Sequence, residues 1–270
     1  MQGLKDWVPT DLKVSYINSL LKVGFDTVEI GSFVSPKAIP QMRDSEEVLK
    51  KLDLSGKRPK LMVLVVNEKG GKTASGYEAI DYLSFPFSGS ATFLKRNLNA
   101  TFDTASDSIL RLLEICHKSG KDLIVYLSMS FGNPYGDPWE PEMVLDWAVH
   151  LYNLGIRIIP LSDILGSVTP DRIKAVYDLL IPALPEVDFG FHLHARPGDY
   201  FDKVDMAYQC GVRRFDTVLR GIGGCPMADD HLVGNLNTLD LLNYLELKGK
   251  KPPIDENALM EAQMILGRIV

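Results

Sequence analysis

The chain alternates between two hydrophobic patterns. Amphipathic runs with apolar residues three and four apart, such as Tyr16, Ile17, Leu20 and Leu21, or Ile109, Leu112, Leu113 and Cys116, read as helices buried along one face. Such a run ends at a glycine, and within a few residues a near-continuous apolar, β-branched run begins: VGFDTVEIGSF (23–33), SGKDLIVYLSMSF (119–131), LGIRIIPLSD (154–163) and CGVRRFDTVL (210–219). Glycine closes a helix in the left-handed conformation without steric cost, and strands apolar on both faces suit a covered parallel sheet. The pattern predicts strands over 26–33, 60–66, 79–87, 122–131, 156–163, 187–194 and 213–219. Thr169-Pro170-Asp171 marks a helix start, and two last helices are expected over 238–247 and 255–268, separated by the KGKKPP turn.

Strand–helix alternation of this kind defines an α/β chain. A doubly wound sheet would carry a phosphate-binding turn after its first strand, which is lacking, whereas a (β/α)8 TIM barrel needs eight strands. Seven strands, with the helix-entry segment Val8-Pro9-Thr10 preceded by none, predict such a barrel with its first strand missing from this chain. It is expected to form one domain over 1–270, including a C-terminal helical extension over about 238–270.

Composition narrows the function. Hydrophobic residues at 46% and charged residues at 24% exclude a disordered or fibrous chain. A net charge of -6, from 35 acidic and 29 basic residues, offers no general field for nucleic acid or an anionic membrane. Cys116, Cys210 and Cys225 form neither a disulfide framework nor a zinc-binding spacing, which fits a reducing cytoplasm. The first twenty residues lack an apolar signal core, and no run of eighteen apolar residues occurs, so neither secretion nor a membrane span is expected.

Catalytic groups of a barrel sit at the C-terminal ends of its strands. There the chain places Glu29, Ser128, Ser130, Asp163, His192 and His194, then the unusual loop RGIGGCPMADDHLVGNLN (220–237). In His192-Leu193-His194 strand alternation turns both imidazoles to one side, where they either reach one ion or form a hydrogen-bonded pair. Cys225 follows two glycines and precedes a proline, a sharply bent setting for a thiol, whereas Cys116 and Cys210 fall on apolar helical faces. Gly221 to Gly224 lacks the spacing of a dinucleotide fingerprint. Lys37, Lys95 and Arg96 are candidate phosphate partners.

Four segments carry a resemblance. GIGGCPMA (221–228) followed by Gly234-Asn235, VEIGSFVSPKAIPQM (28–42), LSDILGSVTP (161–170) and HLH (192–194) resemble, in order and over nearly the whole chain, the 3-hydroxy-3-methylglutaryl-CoA (HMG-CoA) lyase family of metal-dependent barrels, in a divergent bacterial-type branch. The resemblance implies a divalent cation, Mg²⁺ or Mn²⁺, and cleavage of the acyl-CoA to acetyl-CoA and acetoacetate by a cytoplasmic homodimer. It further implies His192, His194 and Asn235 as metal ligands, Cys225 as the catalytic thiol, Glu29 and Asp163 in the polar network around substrate, and Gln2 as the last residue of the family's Arg-Asp-x-x-Gln motif.

The chain departs from the family in several places. The Arg and Asp of that motif would lie before Met1, so the natural reading frame is expected to extend upstream by about ten to fifteen residues, one strand's worth. Without them the chain is expected to be poorly soluble or to dimerise through the gap, with little activity. Ala195-Arg196-Pro197 follows the HLH triplet where Asp-Thr is commoner, the 225–235 loop is a residue longer than usual, and Asn133 and Asp137 replace a Cys and a Glu. Two further readings therefore stand beside the lyase: another aldolase or Claisen-type barrel enzyme with a different acyl or keto-acid substrate, and a catalytically inactive binding homologue.

Overall fold

A computed structural model of the chain describes residues 1, 4, 6–224 and 233–270. Its strands are β1 Thr27–Ser32, β2 Lys60–Leu64, β3 Tyr82–Ser88, β4 Asp122–Ser128, β5 Ile158–Asp163, β6 Asp188–Leu193 and β7 Arg214–Asp216. Its helices are α1 Thr10–Val23, α2 Ser45–Lys51, α3 Glu68–Ser75, α4 Ala91–Leu98, α5 Phe102–Ser119, α6 Pro141–Leu154, α7 Pro170–Ala183, α8 Phe201–Gln209, α9 Thr238–Leu247 and α10 Glu256–Leu266. The strands pair in parallel and in chain order from β1 to β7, giving the curled sheet of a (β/α) barrel. Among the described residues β1 and β7 each have a single strand neighbour.

Alternation along the strands sorts the sheet into two faces. Leu83, Phe85 and Phe87 of β3, Leu123, Val125 and Leu127 of β4, Ile159 and Leu161 of β5, and Phe189 and Phe191 of β6 join one core with Ile109, Leu112, Ile173 and Val176 of the surrounding helices. The other face, inside the barrel, carries Glu29, Ser84, Tyr126, Ser162, His192 and Asp216. α10 lies against α1, and a smaller core of Tyr16, Val23, Leu219, Leu242, Leu259 and Leu266 seals that side. The described residues contain no helix long and apolar enough to cross a membrane.

The predicted helix stops hold: Gly24, Gly120 and Gly155 take the left-handed conformation at the ends of α1, α5 and α6. Every strand is shorter than the apolar pattern suggests, β4 and β7 by the most. β4 ends at Ser128 because Met129 turns to a φ of 60°, which no strand accommodates. β7 ends at Asp216 because the chain beyond it bonds elsewhere: Val218 donates to Leu236 O, and Thr238 donates back to Val218 O.

Candidate active site

His192 lies on β6 with Ser162 of β5 on one side and Asp216 of β7 on the other. His194, just past the strand, forms an antiparallel bridge with Asn235. The two rings are 5.3 Å apart between centroids, and each has one nitrogen committed. The Nδ1 of His194 lies 3.0 Å from the carbonyl oxygen of Val233, and that of His192 lies 3.1 Å from Oδ2 of Asp216. A carbonyl or a carboxylate only accepts, so each Nδ1 carries a proton, and in the His194 ring the Nε2 keeps its lone pair. Asn235 is fixed likewise: its Nδ2 donates to Ile222 O at 2.9 Å, which leaves Oδ1 available.

All three side chains are pre-oriented. Burial, reinforced by His192, pushes the pKa of His194 down to about 4, against the pull of the Val233 carbonyl, so its imidazole is uncharged at neutral pH. Two imidazole nitrogens and an amide oxygen, each with its competing atom already bonded, are a donor set that fits a divalent cation. Among the described residues no group of three or more His, Cys, Asp and Glu side chains forms a metal cluster, so the set depends on the amide of Asn235.

The glycine run explains how Asn235 is held. Asn235 N donates to Gly221 O at 3.0 Å, and a Cβ on Gly221, whose φ is 61°, would meet the Asn235 carbonyl at 2.6 Å. Gly223 and Gly224 also have positive φ. The loop bends sharply, as its composition suggests, and it bends around the Asn235 backbone. Cys225 and Gln2 lie outside the described residues.

Glu29 projects into the barrel lumen. Desolvation by the surrounding protein, then the like charge of Asp216, push its pKa up to about 7, partly offset by His192. Its side chain nonetheless remains exposed to solvent, which softens the desolvation penalty. Asp163 is turned the other way. Ser162 takes the inward position opposite His192, and the Asp163 carboxylate, 4% exposed, accepts backbone N–H groups from Leu165, Gly166 and Val168 at 3.0–3.1 Å. It therefore organises the loop after β5. Lys203 of α8, itself buried, donates to Gly166 O at 3.0 Å and pairs with Asp199 at 2.7 Å. Gly166, with a φ of 65°, packs so tightly that a Cβ there would meet the His194 carbonyl at 3.0 Å and Val233 Cγ1 at 2.7 Å.

The loop after β4 is latched to α4. Asp137 accepts from Ser90 Oγ and from the Thr92 backbone and hydroxyl, and Asn133 closes the loop on the Asp137 backbone through both ends of its amide. The two departures noted in the sequence thus form one clamp, beside a hollow lined by Ser90, Ser128, Asn133, Trp139 and Trp147. The Ser130 hydroxyl is spent on Leu127 O. Lys95 bonds Asn99, Arg96 stacks over Tyr135, and Lys37 stands exposed. The sequence reading missed Asp216, Tyr126 and Lys203. Nothing within β7 marks Asp216; only the register with β6 places it opposite His192.

The HMGL-like family profile matches residues 1–266. The chain belongs to the HMGL-like family. Members of this family of carbon–carbon lyases resemble the chain closely over most of their length. The mitochondrial hydroxymethylglutaryl-CoA lyase of Bos taurus is 33% identical over 264 residues, 97% of this chain and 80% of the relative. An HMG-CoA lyase structure from Brucella melitensis superposes with a TM-score of 0.91 at 30% identity, covering 99% of this chain and 94% of that one. Another, from Acenitobacter baumannii in complex with coenzyme A and 3-methylmalate, has a TM-score of 0.88 at 33% identity and covers 98% of this chain and 87% of that one.

Proposed function

We propose that the chain is a divalent-metal-dependent lyase that cleaves a 3-hydroxy-3-methylglutaryl-CoA-like thioester to acetyl-CoA and acetoacetate. The observation that carries this reading is the adjacency of His192, His194 and Asn235, each side chain oriented by a hydrogen bond, in a family member. A cation held by these atoms would supply Lewis-acid charge that acidifies and orients the substrate's 3-hydroxyl.

The residues of the chain divide the remaining work. Glu29, with its pKa near 7, takes up the hydroxyl proton at neutral pH. Loss of that proton forms the ketone of acetoacetate as the C2–C3 bond breaks, and the bonding pair leaves on the acetyl-CoA enolate. The thiol of Cys225 protonates that enolate at carbon, and the proton on Glu29 returns through solvent to the thiolate. Asp163 holds the 165–168 loop beside His194 while this happens. Gln2 adds a polar contact to substrate. The whole of 1–270 works as one barrel unit, paired as a homodimer in the cytoplasm, with an acyl-CoA as its small-molecule partner.

Incubation of the full-length natural protein and Mg²⁺ or Mn²⁺ with the hydroxymethylglutaryl thioester should release acetoacetate. Cys225→Ser should cut turnover by ~10²–10⁴-fold, the usual worth of a placed proton donor. The His192→Ala, His194→Ala double variant should lose bound metal. Metal occupancy that survives the double substitution would overturn the ligand assignment, and a fully active Cys225→Ser enzyme would leave the thiol no part in the chemistry. Cleavage of a different acyl or keto-acid substrate, with none of this thioester, would favour the neighbouring aldolase-type reading, to which the Asn133–Asp137 clamp at the mouth lends a structural motive.

A further inference from the structure

We infer that Asp216 and Tyr126 are positioning residues that lock the Nδ1–H tautomer and ring orientation of His192 from inside the barrel, and so present its Nε2 to the mouth. The inference rests on the metal-lyase reading for its consequence but on geometry of its own for its content. His192 and Asp216 face each other across the β6–β7 register, with Nδ1 and Oδ2 3.1 Å apart. The Tyr126 hydroxyl of β4 bonds the same Asp216 carboxylate, and the Tyr126 ring meets the His192 ring edge-on at 5.6 Å. The His192 ring is thus held at one nitrogen by a carboxylate and at its edge by the residue that orients that carboxylate. A rigid side-chain bond gives more angular control than a solvated one, and such partners of a ligating His set both tautomer and basicity.

The two histidines differ in how they are held, and that difference supplies an internal control. His194 bonds a backbone carbonyl, which no side-chain substitution alters, whereas His192 depends on a replaceable side chain. In Asp216→Asn the new amide is able to donate to Nδ1, which favours the Nε2–H tautomer and occupies the nitrogen that faces the mouth.

Two-bond ¹H–¹⁵N correlation spectra of metal-free, ¹⁵N-His-labelled protein at pH 8 read the tautomers directly, with His192 assigned through His192→Ala. The wild type should show Nδ1–H at both histidines, and Asp216→Asn should move His192 alone towards Nε2–H. Titration with Mn²⁺ should then show affinity falling by ~10–100-fold in Asp216→Asn, the usual effect of losing such a partner. Tyr126→Phe, which removes one hydroxyl and keeps the carboxylate, should show a smaller loss, and it carries the test if Asp216→Asn does not fold. A His192 tautomer that is Nε2–H in the wild type, or unchanged by Asp216→Asn, overturns the inference, as does undiminished Mn²⁺ affinity in both variants. A tautomer change in a protein that binds no Mn²⁺ even as wild type upholds the role of Asp216 and Tyr126 and overturns the metal reading instead.

Discussion

The two faces of the sheet are built from alternate residues of the same strands and obey opposite rules. On the outer face Phe85, Phe87, Leu161 and Phe191 are at most 1% exposed and pack against the helices, with no polar partner to satisfy. On the inner face Ser84, Tyr126, His192, Asp216 and Glu29 form a linked polar set. Barrel interiors are ordinarily filled by bulky branched side chains, and this one gives up part of that packing to hold charge. A single strand therefore supplies stability from one register and chemistry from the other, and a change of one residue in register would exchange them.

The largest effect expected from this division is on the outer face. Phe191→Ala should destabilise the fold by ~3–5 kcal/mol, because a fully enclosed ring leaves a cavity that its neighbours cannot fill. Urea unfolding measures the cost, and a loss under about 1 kcal/mol would show the outer face to be looser than described.

Asp163 tests the boundary between the faces. Its carboxylate lies on the outer side of the strand end and accepts three backbone N–H groups. Asp163→Ala should cost ~2–3 kcal/mol by stranding those donors, the upper part of the range for unsatisfied buried groups. Unchanged stability would mean that the 165–168 loop is held by other contacts.

The smallest effect concerns the inner face and depends on pH. Glu29 has a folded pKa of about 7 against an ordinary value of 4.5, so the folded protein binds more protons between those values and stability falls as pH rises through them. His194 acts in the opposite sense. With a folded pKa of about 4, below the usual 6.5, it makes stability rise with pH across that window. The two trends offset each other in the wild type. Glu29→Gln should remove the first, leaving stability that climbs between pH 4 and 6.5 and exceeds the wild type at pH 8. Parallel pH profiles for the two proteins would show that the lumen keeps Glu29 as well hydrated as bulk water does.

The division was legible in the sequence to the extent that it follows period. Seven strands, the glycine stops and the paired histidines of HLH all follow from spacing, and each stands where spacing put it. What spacing could not supply was the ending of strands. Met129 and Val218 continue the apolar pattern, yet one turns to positive φ and the other takes its bonds from the 236–238 segment. Asp216 was hidden for a related reason: within RRFDTV it looks like a polar strand end facing water, and only the neighbouring strand shows that His192 is opposite it. Asp163 was visible as a strand-end acid, but the direction of its side chain depends on which residue of Ser162-Asp163 faces inward, and the register with β6 decides that.

Gly166 carries a consequence for how this mouth evolves or is engineered. Its missing Cβ lets the loop after β5 rest on the carbonyl of His194 and on Val233, while Lys203 grips the same residue from α8. Three connections that differ freely in length and sequence elsewhere in such barrels are here interlocked through one point. Grafting any one of them from a relative would force the other two to move. New substrate preferences should therefore be reached by exchanging the set together, so that inheritance at this rim runs by blocks of loops and not by single substitutions.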